Sequence, residues 1–86
     1  MGDFIHKNLA LYKERPAVGN AYRQIVVRGQ YEVRIFEGDV VQTDPHFIAN
    51  NPDAEVFFHS SLAAAFADAD REYRESVKAG WIPYVP

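Results

Sequence analysis

Apolar positions follow two different spacings along this chain, and the change from one to the other divides it. From residue 60 onward Leu62, Phe66, Ala69, Tyr73 and Val77 recur at intervals of three and four, which places them on one stripe of an α-helix. Asp68, Asp70, Arg71, Glu72, Arg74 and Glu75 cover the remainder, and Asp70 stands four residues before Arg74 in the favourable order. Ser60 or Ser61 supplies the N-cap hydroxyl, Lys78 suits the negative end, and Gly80 is placed for a left-handed stop. Trp81 then folds back toward Val77 or Tyr73. The pattern predicts a helix over residues 60–80.

Between residues 21 and 59 the period is two. The segments AYRQIVVR and YEVRIFE are rich in β-branched and aromatic residues, and Gly29-Gln30 separates them as a two-residue type II′ turn. That turn pairs Arg28 with Tyr31 and Val26 with Val33, so Tyr31, Val33, Ile35 and Val26 share the face that the helix covers. The opposite face then carries Ile25, Val27 and Phe36. A second turn at Gly38-Asp39 returns the chain as a short strand over Val40 to Thr43, which adds Val41 to that face. The stretch DPHFIANNPD reads as a loop holding a brief strand or helical turn, and AEVFFH as a further strand. At the start, Asp3 caps a helix over residues 4–14 with Ile5, Leu9 and Tyr12 on one face and Pro16 closing it, or the segment is a loose arm. PAVGN follows as a loop.

The expected fold is therefore α+β in one domain: helix or arm and loop over 1–20, a β-meander of three to four antiparallel strands over 21–59, the helix over 60–80, and an aromatic tail over 81–86. One helix covers one side of a sheet. The exposed reverse is the expected interaction surface: Ile25, Val27, Phe36 and Val41, joined by Trp81 and Tyr84 of the tail GWIPYVP, covered either by the N-terminal helix or by another chain.

Composition narrows the functional classes. Eighty-six residues with 48% hydrophobic content form one core, and so small a domain gains from self-association. With no cysteine there are no disulfides, thiolate nucleophiles or cysteine zinc sites, which fits a reducing cytoplasmic setting. The N-terminal stretch has no long apolar run, so neither a signal peptide nor a membrane partner is expected. The net charge of −3 is unevenly laid out: residues 1–34 carry six basic and three acidic side chains, and residues 35–70 carry seven acids and no lysine or arginine. Separated signs allow a chain to meet its own copy or to steer a charged partner.

Candidate chemistry is sparse, and no catalytic residue, cofactor or metal is implied. His59, Ser60 and Ser61 resemble a base beside a nucleophile, but sequence neighbours at a strand-to-helix junction rarely face one another, so capping is the expected role of the serines. Free helix N–H groups make the same three residues a candidate anion site. His6, His46 and His59 lack metal-ligand spacing to each other or to Asp44 and Asp53. Arg23, Arg28 and Arg34, interleaved with Tyr22 and Tyr31, are candidate nucleic-acid contacts, because cations seek phosphates and rings stack on bases. Ordinary cross-strand pairing with carboxylates such as Glu32 accounts for the same arginines.

Tyr22 in the first meander strand, FFHS at 57–60, Ala64 or Ala65 and Phe66 in the helix, and KAGW at 78–81 resemble the WGR domain over residues 21–82. Where that family carries Trp-Gly-Arg, this chain reads YEVRIFEGD. The resemblance implies a β-meander closed by a helix and a nucleic-acid-binding role. The sequence thus points first to a homodimeric, non-catalytic interaction module that binds itself or another protein, and second to a nucleic-acid binder.

Overall fold

The computed structural model describes residues 4–42, 44, 47–48 and 51–84. Five strands and one long helix follow in the order β1 (Ile5–Lys13), β2 (Ala21–Arg28), β3 (Glu32–Gly38), β4 (Glu55–Phe58), α1 (Leu62–Lys78) and β5 (Ile82–Pro83). The strands form a single antiparallel sheet in the spatial order β4-β3-β2-β1-β5, with the helix against one face. This is the α+β architecture expected, enlarged by one strand at each end of the chain.

The first of those strands replaces the expected helix over 4–14. Ile5, Leu9 and Tyr12 satisfy a helical spacing, but Lys7, Leu9, Leu11 and Lys13 also alternate with Asn8, Ala10 and Tyr12 at period two. The free edge of β2 decides between the two readings. β1 pairs along that edge from Lys7↔Val27 to Lys13↔Ala21, with an irregularity between Ile5 and Lys7. Leu11 is fully buried beneath α1 as a result. Asp3, the expected cap, lies outside the described residues.

The β2–β3 hairpin is shifted by one residue from the expected register. Arg28 pairs with Glu32, Val27 with Val33, Val26 with Arg34 and Ile25 with Ile35, so the loop has three residues, Gly29, Gln30 and Tyr31. Both ends of this loop are left-handed, with φ of 56° at Gly29 and 66° at Tyr31. A one-residue shift moves a strand's side chains to the opposite face. Ile25 and Val27 thus join Val33 and Ile35 under the helix, and Val26 turns to the reverse beside Phe36. Four aliphatic residues on one face outweigh the strain of a tyrosine in a left-handed turn, which is about 1–2 kcal/mol.

The helix begins as expected: the Ser61 hydroxyl accepts the Ala64 N–H at 3.1 Å. It ends with Gly80 at φ 102°, the Gly80 N–H donated to Val77 O and the Trp81 N–H to Ser76 O, the paired bonds of a Schellman stop. Its buried line is Ala65, Ala69 and Ser76, flanked by Leu62, Phe66 and Tyr73; Val77 sits off the line and is 41% exposed. Small residues at the contact let α1 lie close to the sheet. Trp81 is buried with them, so the tail is structural: β5 pairs with β1 through Leu11↔Pro83 and Tyr12↔Ile82.

The reverse face is covered neither by an N-terminal helix nor by open solvent. No strand forms across the described part of Val40–Thr43; Thr43 itself is not described. Instead Ile48, a helical residue between β3 and β4 whose N–H bonds Asp44 O, packs on Val26 and Phe36 with Ile5 and Ala54. The buried Gln24 side chain takes the place of a ladder partner: its Oε1 accepts the Gln42 N–H at 2.8 Å, and its Nε2 donates to Gln42 O at 3.0 Å and to Asn8 Oδ1 at 3.1 Å.

Candidate functional site

The register shift dismantles the expected interaction surface. Ile25 and Val27 are fully buried between sheet and helix, on the face opposite Phe36, and Phe36 lies beneath Ile48. Trp81 is inside the main core, where Lys13 Nζ and the Arg23 guanidinium stand 5.5 and 5.8 Å from its ring centre. Val41 is half-buried beside Gln42. Of the six residues Tyr84 lines the accessible cleft described below.

The arginines do not gather into one basic surface. Arg23 faces α1, donates to Ser76 Oγ at 3.0 Å and lies 3.7 Å from Glu37, the residue opposite it on β3. Arg28 and Arg34 lie on the reverse face and flank the buried Glu32, at 2.6 and 3.5 Å. Both guanidiniums therefore meet a carboxylate within the fold, Arg28 from the opposite strand and Arg34 from two residues along the same strand. Tyr22 is on the reverse face at the opposite end of β2 from Arg28, and Tyr31 is on the hairpin loop. A phosphate backbone would find these five residues on two faces and at both ends of the sheet.

The junction of His59, Ser60 and Ser61 is also internally satisfied. Ser61 caps the helix, and His59 Nε2 lies 2.9 Å from Asp68 Oδ2, two turns into α1. Asp68 Oδ1 is held by Arg71, which also bonds Glu72 and Glu75 at 3.0 and 2.9 Å. The bond from Asp68 raises the Arg71 pKa above the ordinary guanidinium value, with the charges of Asp68, Glu72 and Glu75 adding to it. A carboxylate this close to His59 disfavours an anion, so the cluster fastens β4 to the helix. Among the described residues no group of three or more His, Asp or Glu side chains is placed to hold a metal ion. Nor is any helix there long and apolar enough to cross a membrane. His46 lies outside the described residues.

Two features stand out instead. The first is β4, a sheet edge reading Glu-Val-Phe-Phe. Phe57, on the helix side, is 39% exposed, and Phe58, on the reverse, is 74% exposed. The signal was present in AEVFFH, where two adjacent phenylalanines occupy both faces of a strand with no proline, lysine or glycine to blunt it. The second is a cleft of about 470 Å³ lined by Tyr12, Glu14, Asn20, Tyr22, Pro83 and Tyr84. Its residues are far apart in sequence and meet only because β1 pairs with both β2 and β5, which the helical reading of residues 4–14 conceals.

Comparison with protein-family models, with curated proteins and with solved structures finds no match to this chain.

Proposed function

We propose that this chain is a non-catalytic interaction module that acts as a homodimer, joined edge to edge through β4. The observation that carries this reading is the β4 edge, unpaired among the described residues, with its two exposed phenylalanines. Exposed apolar edges template pairing with another strand, and a second copy supplies an identical one.

The alternation of the ladder restricts the arrangement to axes centred on a residue, and side-chain matching favours one of them. The His59 N–H bonds inward to Tyr31 O at 2.9 Å, so by the alternation of an antiparallel ladder the backbone groups of Val56 and Phe58 point outward. A two-fold axis normal to the sheet preserves its faces, so opposed residues share parity and the axis passes through a residue. Centred on Phe57, it places Val56 against Phe58 of the second copy, using the outward donors and acceptors, and sets Glu55 against His59 rather than against its own copy. Apolar pairs fall in the middle and unlike groups at the ends. The internal pairing of Arg28, Arg34, His59 and Asp68 supports the non-catalytic part of the reading, because these groups already have partners within the fold.

Sedimentation equilibrium tests it. The expected mass is twice the 9.8 kDa of one chain. Val56→Pro, which removes an outward donor and no β3 ladder bond, and Phe58→Lys are each expected to return it to a monomer with an unchanged circular dichroism spectrum. A wild-type chain that stays monomeric at millimolar concentration overturns the proposal, as does a dimer unaffected by both substitutions.

A further inference from the structure

We infer that the tyrosine-lined cleft at the β1–β5 side of the sheet binds an alkylated ammonium group. Tyr12 and Tyr22 are directly opposed partners on β1 and β2, so their rings stand side by side on the reverse face. Tyr84 follows β5 and is anchored by its N–H to Ala10 O at 2.9 Å. Its ring stands nearly perpendicular to both others, at 83° to Tyr12 and 78° to Tyr22, with ring centres 6.2 and 5.6 Å apart. Tyr84 standing upright against the other two electron-rich rings forms a re-entrant corner. Such a corner suits a compact, rounded cation, which gains from the quadrupole of more than one ring at once.

The surrounding charge is of the matching sign. Glu14, the acidic residue on the loop after β1, and the neutral Asn20 line the cleft beside the rings. The neighbouring cations along the chain already have partners, Arg15 among them although it reaches Asn20 at the cleft rim. Lys13 lies on the helix side against Ala79 O and the Trp81 ring. Arg15 donates to Gly19 O at 3.1 Å and Asn20 O at 3.4 Å and pairs with Asp39 at 3.1 Å. An ammonium carrying methyl groups is weakly hydrated and loses little on entering an aromatic corner, whereas a bare lysine ammonium holds its water. Two sources present this chemistry: a free quaternary amine and a methylated lysine side chain. β3 separates the cleft from β4, and the cleft shares no residue with that edge, so it neither requires nor reports on the dimer.

Titration followed by the aromatic proton signals of Tyr12, Tyr22 and Tyr84 provides the test. The probes are choline, its neutral isostere 3,3-dimethylbutan-1-ol, and one short peptide bearing either trimethyllysine or unmodified lysine. Choline and the trimethyllysine peptide are expected to shift all three rings, and the neutral isostere to bind about tenfold more weakly, the ratio a cation–π contribution gives. A tighter trimethyllysine peptide than choline identifies a modified protein tail as the source; equal affinities identify a free amine. Tyr84→Phe keeps the ring face and is expected to bind normally, Glu14→Gln to bind several-fold more weakly, and Tyr84→Ala to lose binding while keeping the wild-type circular dichroism. Should Tyr84→Ala lose β5, the neutral isostere and Glu14→Gln still decide. Equal binding of choline and its isostere, equal binding of the two peptides, or no shift of the three rings overturns the inference.

Discussion

The two faces of the sheet are covered in different ways. On the helix side Leu11, Ile25, Val27, Val33 and Ile35 meet Ala65, Ala69 and Trp81 in a core sealed by a capped, regular helix. On the reverse, Val26 and Phe36 are covered by Ile48 from an irregular connection that a glutamine side chain holds in place. The first cover is continuous and apolar, so removing it means unfolding the domain. The second rests on a few contacts at the end of a long loop, so it can open locally while the sheet persists. The proposed contact sites follow the same division. The tyrosine cleft and the more exposed phenylalanine of β4 belong to the reverse face, which α1 does not cover.

Substitutions in the two covers sharpen this contrast. Ile25→Ala leaves a cavity that the helix cannot collapse to fill, and is expected to cost about 2–5 kcal/mol in urea unfolding. Ile48→Ala removes a side chain buried to a similar degree but is expected to cost only about 2 kcal/mol or less, because the loop can move into the space. Its clearer signature is a faster amide exchange at Gln42 without change at Val27. Equal global costs and unchanged exchange at Gln42 would show that the two covers are one cooperative unit. Gln24→Leu comes next, at about 1–2 kcal/mol, since it leaves the Gln42 N–H and C=O without their partner. A Gln24→Leu protein as stable as wild type would mean that water serves Gln42 equally well.

This contrast explains which parts of the fold were legible. The helix, its Ser61 cap, its Gly80 stop and the Asp70–Arg74 pair at 3.1 Å follow from local spacing alone. β3 and β4 were equally plain as runs of β-branched and aromatic residues. β1 was not, because a nine-residue segment with apolar residues at Ile5, Leu9, Leu11 and Tyr12 fits both periods, and only the open edge of β2 resolves it. The reverse cover was hidden for a different reason. One isoleucine within an Asn- and Pro-rich loop has no period, and the bond that positions the loop comes from Gln24, a residue whose strand position gives no hint of it. The candidate sites inherited both errors: the apolar surface was assigned to the wrong face, and the cleft needed the missing strand.

The hairpin loop carries the smallest expected effect and tests how the faces were assigned. A type II′ turn at Gly29-Gln30 is the lower-strain local choice, yet the chain adopts a three-residue loop with Tyr31 at φ 66° and its ring 41% exposed. That conformation persists because the alternative register would turn Ile25 and Val27 out from beneath α1. Replacing Tyr31 with asparagine, which enters the left-handed region readily, should therefore relieve strain without altering the pairing. Tyr31→Asn is expected to raise stability by about 0.5–1 kcal/mol in urea unfolding, and cross-strand Overhauser contacts should still join Val27 to Val33. A loss of stability would mean that the Tyr31 ring contributes packing that outweighs its backbone strain. A switch to Val26 opposite Val33 would mean that the loop, rather than the buried aliphatic face, dictates which residues the helix covers.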